Sequence, residues 1–149
     1  EICVFDIKGD FAVTQKITVS ASTEDLSTAL CLHGDNIVVG YISGHIRIFS
    51  AQMGQILFEI AAHGRCVTGL SAHPSKAEVS SYGEDQCLNV WSLPSARADA
   101  SVSSVELVYH DLVENALLTG MQWVDGRLYA SAYDSDIIRV VVPRAARKM

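Results

Sequence analysis

The sequence predicts an all-β fold assembled from a repeated unit of antiparallel strands. A pattern of apolar, any, apolar and aromatic residues ends at Phe5, Phe49 and Trp91, and it recurs in a weaker form at Val141. Gly, Asp, Asn and Ser separate short apolar runs of strand length, and no stretch shows helical periodicity. A period of about 40–45 residues is typical of the four-stranded blades of a β-propeller. We therefore expect an open arc of such a propeller, with two complete and two incomplete blades.

The turns between the apolar runs define the expected bounds of each blade. The segment 33–36 (His-Gly-Asp-Asn) and the pair Asp125-Gly126 have the composition of hairpin turns. Pro143 cannot donate a hydrogen bond to a strand ladder, so the last blade is expected to stop at three strands. Within a partial propeller at 1–142 the expected spans are two strands at 1–20, a complete blade at 26–60, a complete blade at 66–110 with an exposed loop at 94–104, and three strands at 116–142, followed by a basic tail at 143–149.

An arc of this size leaves both of its ends open. A closed propeller needs at least about four blades, and both ends of a shorter arc expose unpaired strand edges, which natural proteins avoid. We therefore expect the chain to be part of a larger protein, in which the N-terminal part of the intact chain supplies the missing outer strand of the last blade. An alternative is self-association, in which two copies pair edge to edge.

The composition argues against two classes of partner. The net charge is −6 and the pI is about 5.2. Lys and Arg do not cluster into a stripe that would contact a phosphate backbone, so we expect no binding of nucleic acid. No apolar run approaches the roughly 18 residues of a membrane span. A membrane-spanning segment is therefore not expected in this sequence.

The chain has four cysteines, at Cys3, Cys31, Cys66 and Cys87. They lie within apolar strand patterns without regular spacing, which is typical of small buried residues in a reducing compartment, so we expect a cytoplasmic protein. Two of them, with His33 and His63, offer the two sulfur and two nitrogen ligands of a zinc site. Neither His–Cys pair has the Cys-x-x-Cys spacing, and a position in a hairpin turn explains His33. No metal and no cofactor are expected.

One unit carries four polar and aromatic residues in a distinctive order: His63 before the first strand, Ser81 in the second, Asp85 in the next turn, and Trp91 ending the third. This order resembles a WD repeat. The resemblance implies a structural hydrogen-bonded chain, in which Asp85 holds His63, and His63 links through Ser81 to the Trp91 indole. A Ser-His-Asp hydrolase site is disfavoured because Ser81 lies in the middle of a strand. The other units have Ser43 and Ser135 in place of the aspartate, so we expect their blades to depend on apolar packing alone.

Residues 1–142 as a whole resemble the C-terminal blades of a WD-repeat protein. The resemblance implies a ring of about seven blades that acts as a non-catalytic scaffold for protein or peptide partners. In such proteins partners commonly dock on the loop before the first strand and the turn after the second. In this sequence that face selects Tyr41, Ile42, Arg65, Glu84, Asp134 and Asp136. The alternative is an enzyme that uses the central channel, where Thr28, Thr68 and Thr119 recur at matching positions of three first strands.

Overall fold

The computed structural model describes residues 1–18, 25–94 and 104–141. This part of the chain contains thirteen strands and no helix, as the sequence predicted. The strands are β1 (Ile2–Phe5), β2 (Val13–Ile17), β3 (Ser27–His33), β4 (Asn36–Tyr41), β5 (His45–Ser50), β6 (Ile56–Ala61), β7 (Val67–Ala72), β8 (Glu78–Gly83), β9 (Cys87–Ser92), β10 (Glu106–Leu112), β11 (Leu118–Val124), β12 (Arg127–Ala132) and β13 (Arg139–Val141). The expected tail at 143–149 and nearly all of the expected loop at 94–104 lie outside the described residues.

The strands form four antiparallel sheets in chain order. The first sheet has strands β1 and β2, the next two have four strands each, and the last has β11, β12 and β13. We call these sheets blades one to four. The first strands of adjacent blades contact each other, β3 with β7 and β7 with β11, so the blades are arranged side by side around a common inner edge. The prediction of a partial propeller with two complete and two incomplete blades is confirmed.

The apolar core lies between adjacent blades, because each of the two four-stranded sheets buries apolar residues on both of its faces. Val38 and Val39 are neighbours on β4 and are 1% and 0% exposed. Val39 packs with Ile17 of blade one, whereas Val38 packs with Val67 of blade three. This alternation follows from the two-residue period of a strand. Burying a valine side chain contributes about 1.5–3 kcal/mol, so the contacts between blades contribute strongly to the stability of the arc.

A β-bulge recurs at the same position of each inner strand, and the bulged residue is a threonine each time. The pairing register shifts around Thr28 in β3, Thr68 in β7 and Thr119 in β11. The Thr28 hydroxyl donates to the carbonyl oxygen of Val67 at 2.6 Å, and the Thr68 hydroxyl lies 3.5 Å from the equivalent oxygen of Leu118. The bulges therefore direct these hydroxyls toward the backbone of the next blade.

Candidate interaction face and its supporting clusters

Blade three contains a continuous chain of side-chain hydrogen bonds that begins at an indole. The Trp91 Nε1–H donates to the Ser81 Oγ at 2.8 Å, and the Ser81 Oγ lies 2.8 Å from the Nε2 of His63. The His63 Nδ1 in turn lies 3.0 Å from the Oδ1 of Asp85. With the imidazole proton on Nδ1, the Ser81 hydroxyl donates to Nε2, and every polar hydrogen of the chain has an acceptor. The side chain of His63 is fully buried, so these bonds also compensate for its desolvation.

Asp85 connects two loops as well as holding the histidine. Its carboxylate accepts hydrogen bonds from the backbone N–H of Gly64 at 2.8 Å and of Cys87 at 3.2 Å. Burial raises the pKa of Asp85, but the two backbone N–H groups and His63 outweigh burial, so its pKa is lowered below the ordinary 3.8. One carboxylate therefore fixes the loop before β7 against the turn before β9.

The end of β8 has a glycine because no larger side chain fits beside this network. A Cβ atom on Gly83 would lie 2.6 Å from the Oδ1 of Asp85 and 2.7 Å from the Nδ1 of His63. Both atoms belong to the hydrogen-bonded chain and cannot withdraw without breaking it. The imidazole and the carboxylate thus occupy the space that a side chain at this position would take.

Burial of His63 predicts a pH dependence of stability. Burial lowers the pKa of His63 below 6.5, and Asp85 only partly offsets that effect. The unfolded chain therefore binds this proton more tightly than the folded chain, and acidification favours unfolding. We expect the urea midpoint to fall between about pH 7.5 and about pH 5.5. The lowered pKa of Asp85 acts in the same direction, but only at more acidic pH.

A His63→Gln variant isolates this contribution, because His73 also has a lowered pKa through burial and titrates in both proteins. Urea midpoints measured at both pH values should change less in the variant than in the unmodified chain. An equal pH dependence in the two proteins would show that His63 is not buried as a neutral group.

Blade two holds a different polar cluster at the corresponding place. In blade two, Tyr41 pairs with Ser27 of the first strand, and in blade three Gly83 pairs with Val67 of the first strand. Tyr41 therefore occupies the register position that Gly83 occupies in blade three. The guanidinium of Arg47 lies 4.3 Å from the centre of the Tyr41 ring. It also forms ion pairs with Asp25 at 3.1 Å and with Glu59 at 2.5 Å. The expectation that this blade depends on apolar packing alone was wrong, because Arg47 forms ion pairs with the largely buried Asp25 and with the half-exposed Glu59.

The residue two positions before the aromatic of the third strand has a polar partner in both complete blades. In blade two this residue is Arg47, which pairs across the sheet with Glu59 of β6. In blade three it is Asn89, whose Oδ1 lies 2.7 Å from the Nδ1 of His110 on β10. Asn89 also donates to the carbonyl oxygen of Ala62 at 3.0 Å. Sequence reasoning missed this position, although a polar residue at a constant offset from the aromatic was a usable signal.

The loops at one end of the blades form a continuous surface, which we call the upper face; it comprises residues 42–44, 63–66, 84–86, 113–117 and 133–137. Backbone hydrogen bonds connect these segments from one to the next. The N–H of His63 donates to the carbonyl of Gly44, and that of Glu84 donates to the carbonyl of Cys66. The N–H of Val113 donates to Gln86 in the same way. The segments therefore hold one another in place across three blades.

Five of the six residues selected from the sequence as partner-binding candidates are exposed on the upper face: Ile42, Arg65, Glu84, Asp134 and Asp136. Ile42 is 48% exposed, although it directly follows the buried strand β4. Tyr41 is only 1% exposed, because its ring lies beneath Arg47. Tyr41 therefore supports the face from below and does not belong to the accessible surface.

Cys31 and His33, two of the candidate zinc ligands, have different surroundings in the structure. Burial raises the pKa of Cys31 to about 12, which disfavours the thiolate that metal binding requires. The neighbouring His33 instead has its Nε2 2.7 Å from the carbonyl oxygen of Lys76. Across the described ranges, no group of three or more His, Cys, Asp or Glu side chains is arranged to hold a metal ion. Among the same residues, no helix is long and apolar enough to cross a membrane.

An arc of four-stranded antiparallel blades, one of which carries this His, Ser, Asp and Trp network, defines a WD-repeat β-propeller. The fold is shared with the β-propeller domain of Myceliophteria thermophila Cps50 (Swd1), with a TM-score of 0.70 at 18% identity over 83% of this chain and 43% of that chain. The chain belongs to the WDR54 family, whose family model matches residues 1–142. The predicted WD-repeat resemblance is thereby confirmed.

Known relatives extend well beyond this sequence. The chain is 26% identical to WD repeat-containing protein 54 of Mus musculus over 107 residues, which cover 69% of this chain and 32% of that protein. It is 28% identical to the Homo sapiens protein of the same name over 106 residues, which cover 69% of this chain and 31% of that protein. The chain thus spans about a third of the length of these curated relatives.

Proposed function

We propose that the chain forms part of a non-catalytic scaffold that binds protein or peptide partners through the upper face. The observation that carries this proposal is the set of backbone hydrogen bonds that joins the upper loops of neighbouring blades into one surface. A surface that is already ordered loses little conformational entropy when a partner binds, so a rigid face suits recognition. Ile42 offers an apolar contact there, and Arg65 and Glu84 offer charges of opposite sign close to it.

The clusters below the face support the same proposal. The Asp85 carboxylate fixes the loop that carries Arg65, because it accepts from Gly64. In blade two the Tyr41 ring and Arg47 lie directly beneath the turn that carries Ile42. Loops placed on such scaffolds commonly carry binding residues. The two polar clusters thus hold the turns that would contact a partner.

The channel-enzyme alternative has weaker support. It needs the threonine hydroxyls of the inner strands to converge on a substrate, but Thr28 and Thr68 direct theirs toward backbone carbonyls. The four cysteines are free thiols, which agrees with our proposal that the scaffold works in the reducing cytoplasm. The net charge of −6 supports protein partners rather than nucleic acid.

Charge reversal on the upper face tests the proposal. Peptides selected from a display library against the 149-residue chain serve as the probes. For peptides that bind the upper face, we expect Glu84→Arg or Arg65→Glu to weaken binding by about tenfold or more, because a buried like-charge contact replaces a favourable one. The melting temperature should stay unchanged, since neither residue takes part in an ion pair among the described residues.

Lys8→Glu is the matched control, because Lys8 is an exposed cation in the turn between β1 and β2, outside the upper face, and it forms no ion pair among the described residues. This variant should bind the same peptides as the unmodified chain does. Peptide affinities that are equal for all of these proteins would reject the upper face as the binding surface.

A further inference from the structure

A histidine side chain closes the hairpin between β7 and β8, residues 73–77. The Nδ1 of His73 accepts hydrogen bonds from the backbone N–H groups of Ser75 and Lys76, each at 3.1 Å. A ring nitrogen that accepts hydrogen bonds carries no proton, so the imidazole is neutral and has its single proton on Nε2. The closed conformation of this hairpin therefore requires an uncharged His73.

The ring of His73 is enclosed between blades three and four. It is 6% exposed and packs against Trp123 of β11, with 4.6 Å between the ring centres. Within the described part of the chain, its Nε2 has no hydrogen-bond partner. A second proton on the ring would therefore have to be accommodated with almost no access to water, which disfavours the imidazolium.

The charged and titratable groups near the ring do not compensate for this burial. Burial lowers the pKa of His73 below 6.5, and the nearby Lys76 and His33 act in the same direction. The Glu78 carboxylate of β8 acts in the opposite direction but offsets burial only in part. From β11 the ring meets the uncharged Trp123. The closed hairpin thus binds this proton less tightly than an open hairpin does.

The same hairpin also connects blade three to blade two, at the end of the strands opposite the upper face. The Nε2–H of His33 donates to the carbonyl oxygen of Lys76 at 2.7 Å. A groove with a volume of about 440 Å³ lies between the hairpins of the two blades, and His33, Pro74 and Lys76 belong to its lining. Both of these blades are complete four-stranded sheets. The position of residues 73–77 therefore determines the shape of the groove.

We propose that the hairpin at 73–77 opens when His73 is protonated, and that the groove between blades two and three changes shape with it. A proton on Nδ1 points at the two backbone N–H groups that donate there, so two attractive contacts become repulsive. The Lys76 carbonyl moves with the hairpin and releases His33. The upper face takes no part in this change, so the inference goes beyond the proposed scaffold function.

Hydrogen exchange of the Ser75 and Lys76 amides in the 149-residue chain tests the proposal. NMR would give a protection factor for each amide, which corrects for the intrinsic pH dependence of exchange. We expect both protection factors to fall by about five- to tenfold between about pH 7.5 and about pH 5.5, because opening is linked to the uptake of one proton. The amide of Val39, which is 0% exposed, should be more strongly protected at both pH values, since it reports unfolding of the whole arc.

Two variants assign this fall to one imidazole. In His73→Asn the side-chain oxygen can accept from the same backbone N–H groups, as asparagine does in turns, but it does not titrate in this range. Its protection factors at Ser75 and Lys76 should change by about twofold or less over the same pH interval. His33→Asn is the matched control, because it removes the neighbouring imidazole instead. This variant should keep the full fall, although its hairpin is less protected at both pH values.

Three results would overturn the proposal. Protection factors at Ser75 and Lys76 that do not change with pH would show that protonation leaves the hairpin closed. A fall that persists in His73→Asn would assign the response to another titratable group. Protection factors at Ser75 and Lys76 equal to that of Val39 would mean that these amides exchange only when the whole arc unfolds, so the hairpin would not open by itself.

Discussion

Replacing Asp85 with alanine is expected to lower the free energy of unfolding by about 1–3 kcal/mol. The substitution removes the carboxylate that accepts from the His63 Nδ1 and from two backbone N–H groups. The His63 side chain is fully buried, so its Nδ1–H would lose its acceptor in a place that water does not reach. Urea unfolding at neutral pH, followed by tryptophan fluorescence, measures the change.

Ser43→Ala is the matched control, because Ser43 stands in blade two where Asp85 stands in blade three. Its Oγ lies 3.0 Å from the Nδ1 of His45, and both groups are at the surface. We expect this variant to stay within about 0.5 kcal/mol of the unmodified chain. If the two variants have the same stability, the chain of hydrogen bonds in blade three does not stabilise the fold.

Replacing Arg47 with alanine is expected to cost about 3 kcal/mol, near the lower end of the range for breaking a buried ion pair. The side chains of Arg47 and Asp25 are both 13% exposed, whereas that of Glu59 is 50% exposed. Without the guanidinium, the Asp25 carboxylate would stay largely desolvated and without its cation. The face of the Tyr41 ring would also lose the contact that covers it.

Arg139→Ala provides the comparison in blade four, since Arg139 has the same register position but is exposed and forms no ion pair with the described residues. We expect its unfolding free energy to change by about 0.5 kcal/mol or less. Urea midpoints of the two variants measure these two changes in unfolding free energy. A similarly small effect of Arg47→Ala would mean that the cluster in blade two only covers the surface.

The architecture was predictable because burial in a propeller follows the strand period. The two complete blades bury both faces of their second and third strands, so Ile46 and Ile48 on one side and Phe49 on the other all had to be apolar. The repeat of these runs therefore indicated the number and order of the strands. Ser81, Asp85 and Trp91 were identifiable for a related reason, because each residue type occurs at a fixed place relative to its strand.

The polar cluster of blade two was not predictable from local sequence. Tyr41 follows an apolar strand and precedes a Gly-containing turn, which is equally typical of an exposed aromatic residue. Its burial depends on packing against distant residues such as Ile17, and on Arg47, which covers the ring. Arg47 is in turn held by Asp25 and Glu59, which approach only after the sheet has formed. The contacts of the threonine hydroxyls with the next blade were likewise not predictable from local sequence. Thr28 was recognisable as a recurring strand residue, but its bulge is defined by the pairing of β3 with β4.

Backbone amide hydrogen exchange, measured with and without a peptide selected from the display library, tests the central claim most directly. If the upper face is the binding surface, the peptide should slow exchange in segments such as 42–44, 84–86 and 133–137. Exchange in the hairpins at the opposite end of the blades, at 34–36 and 74–77, should stay unchanged. Protection that falls on those hairpins instead, with no change at the upper loops, would contradict the account.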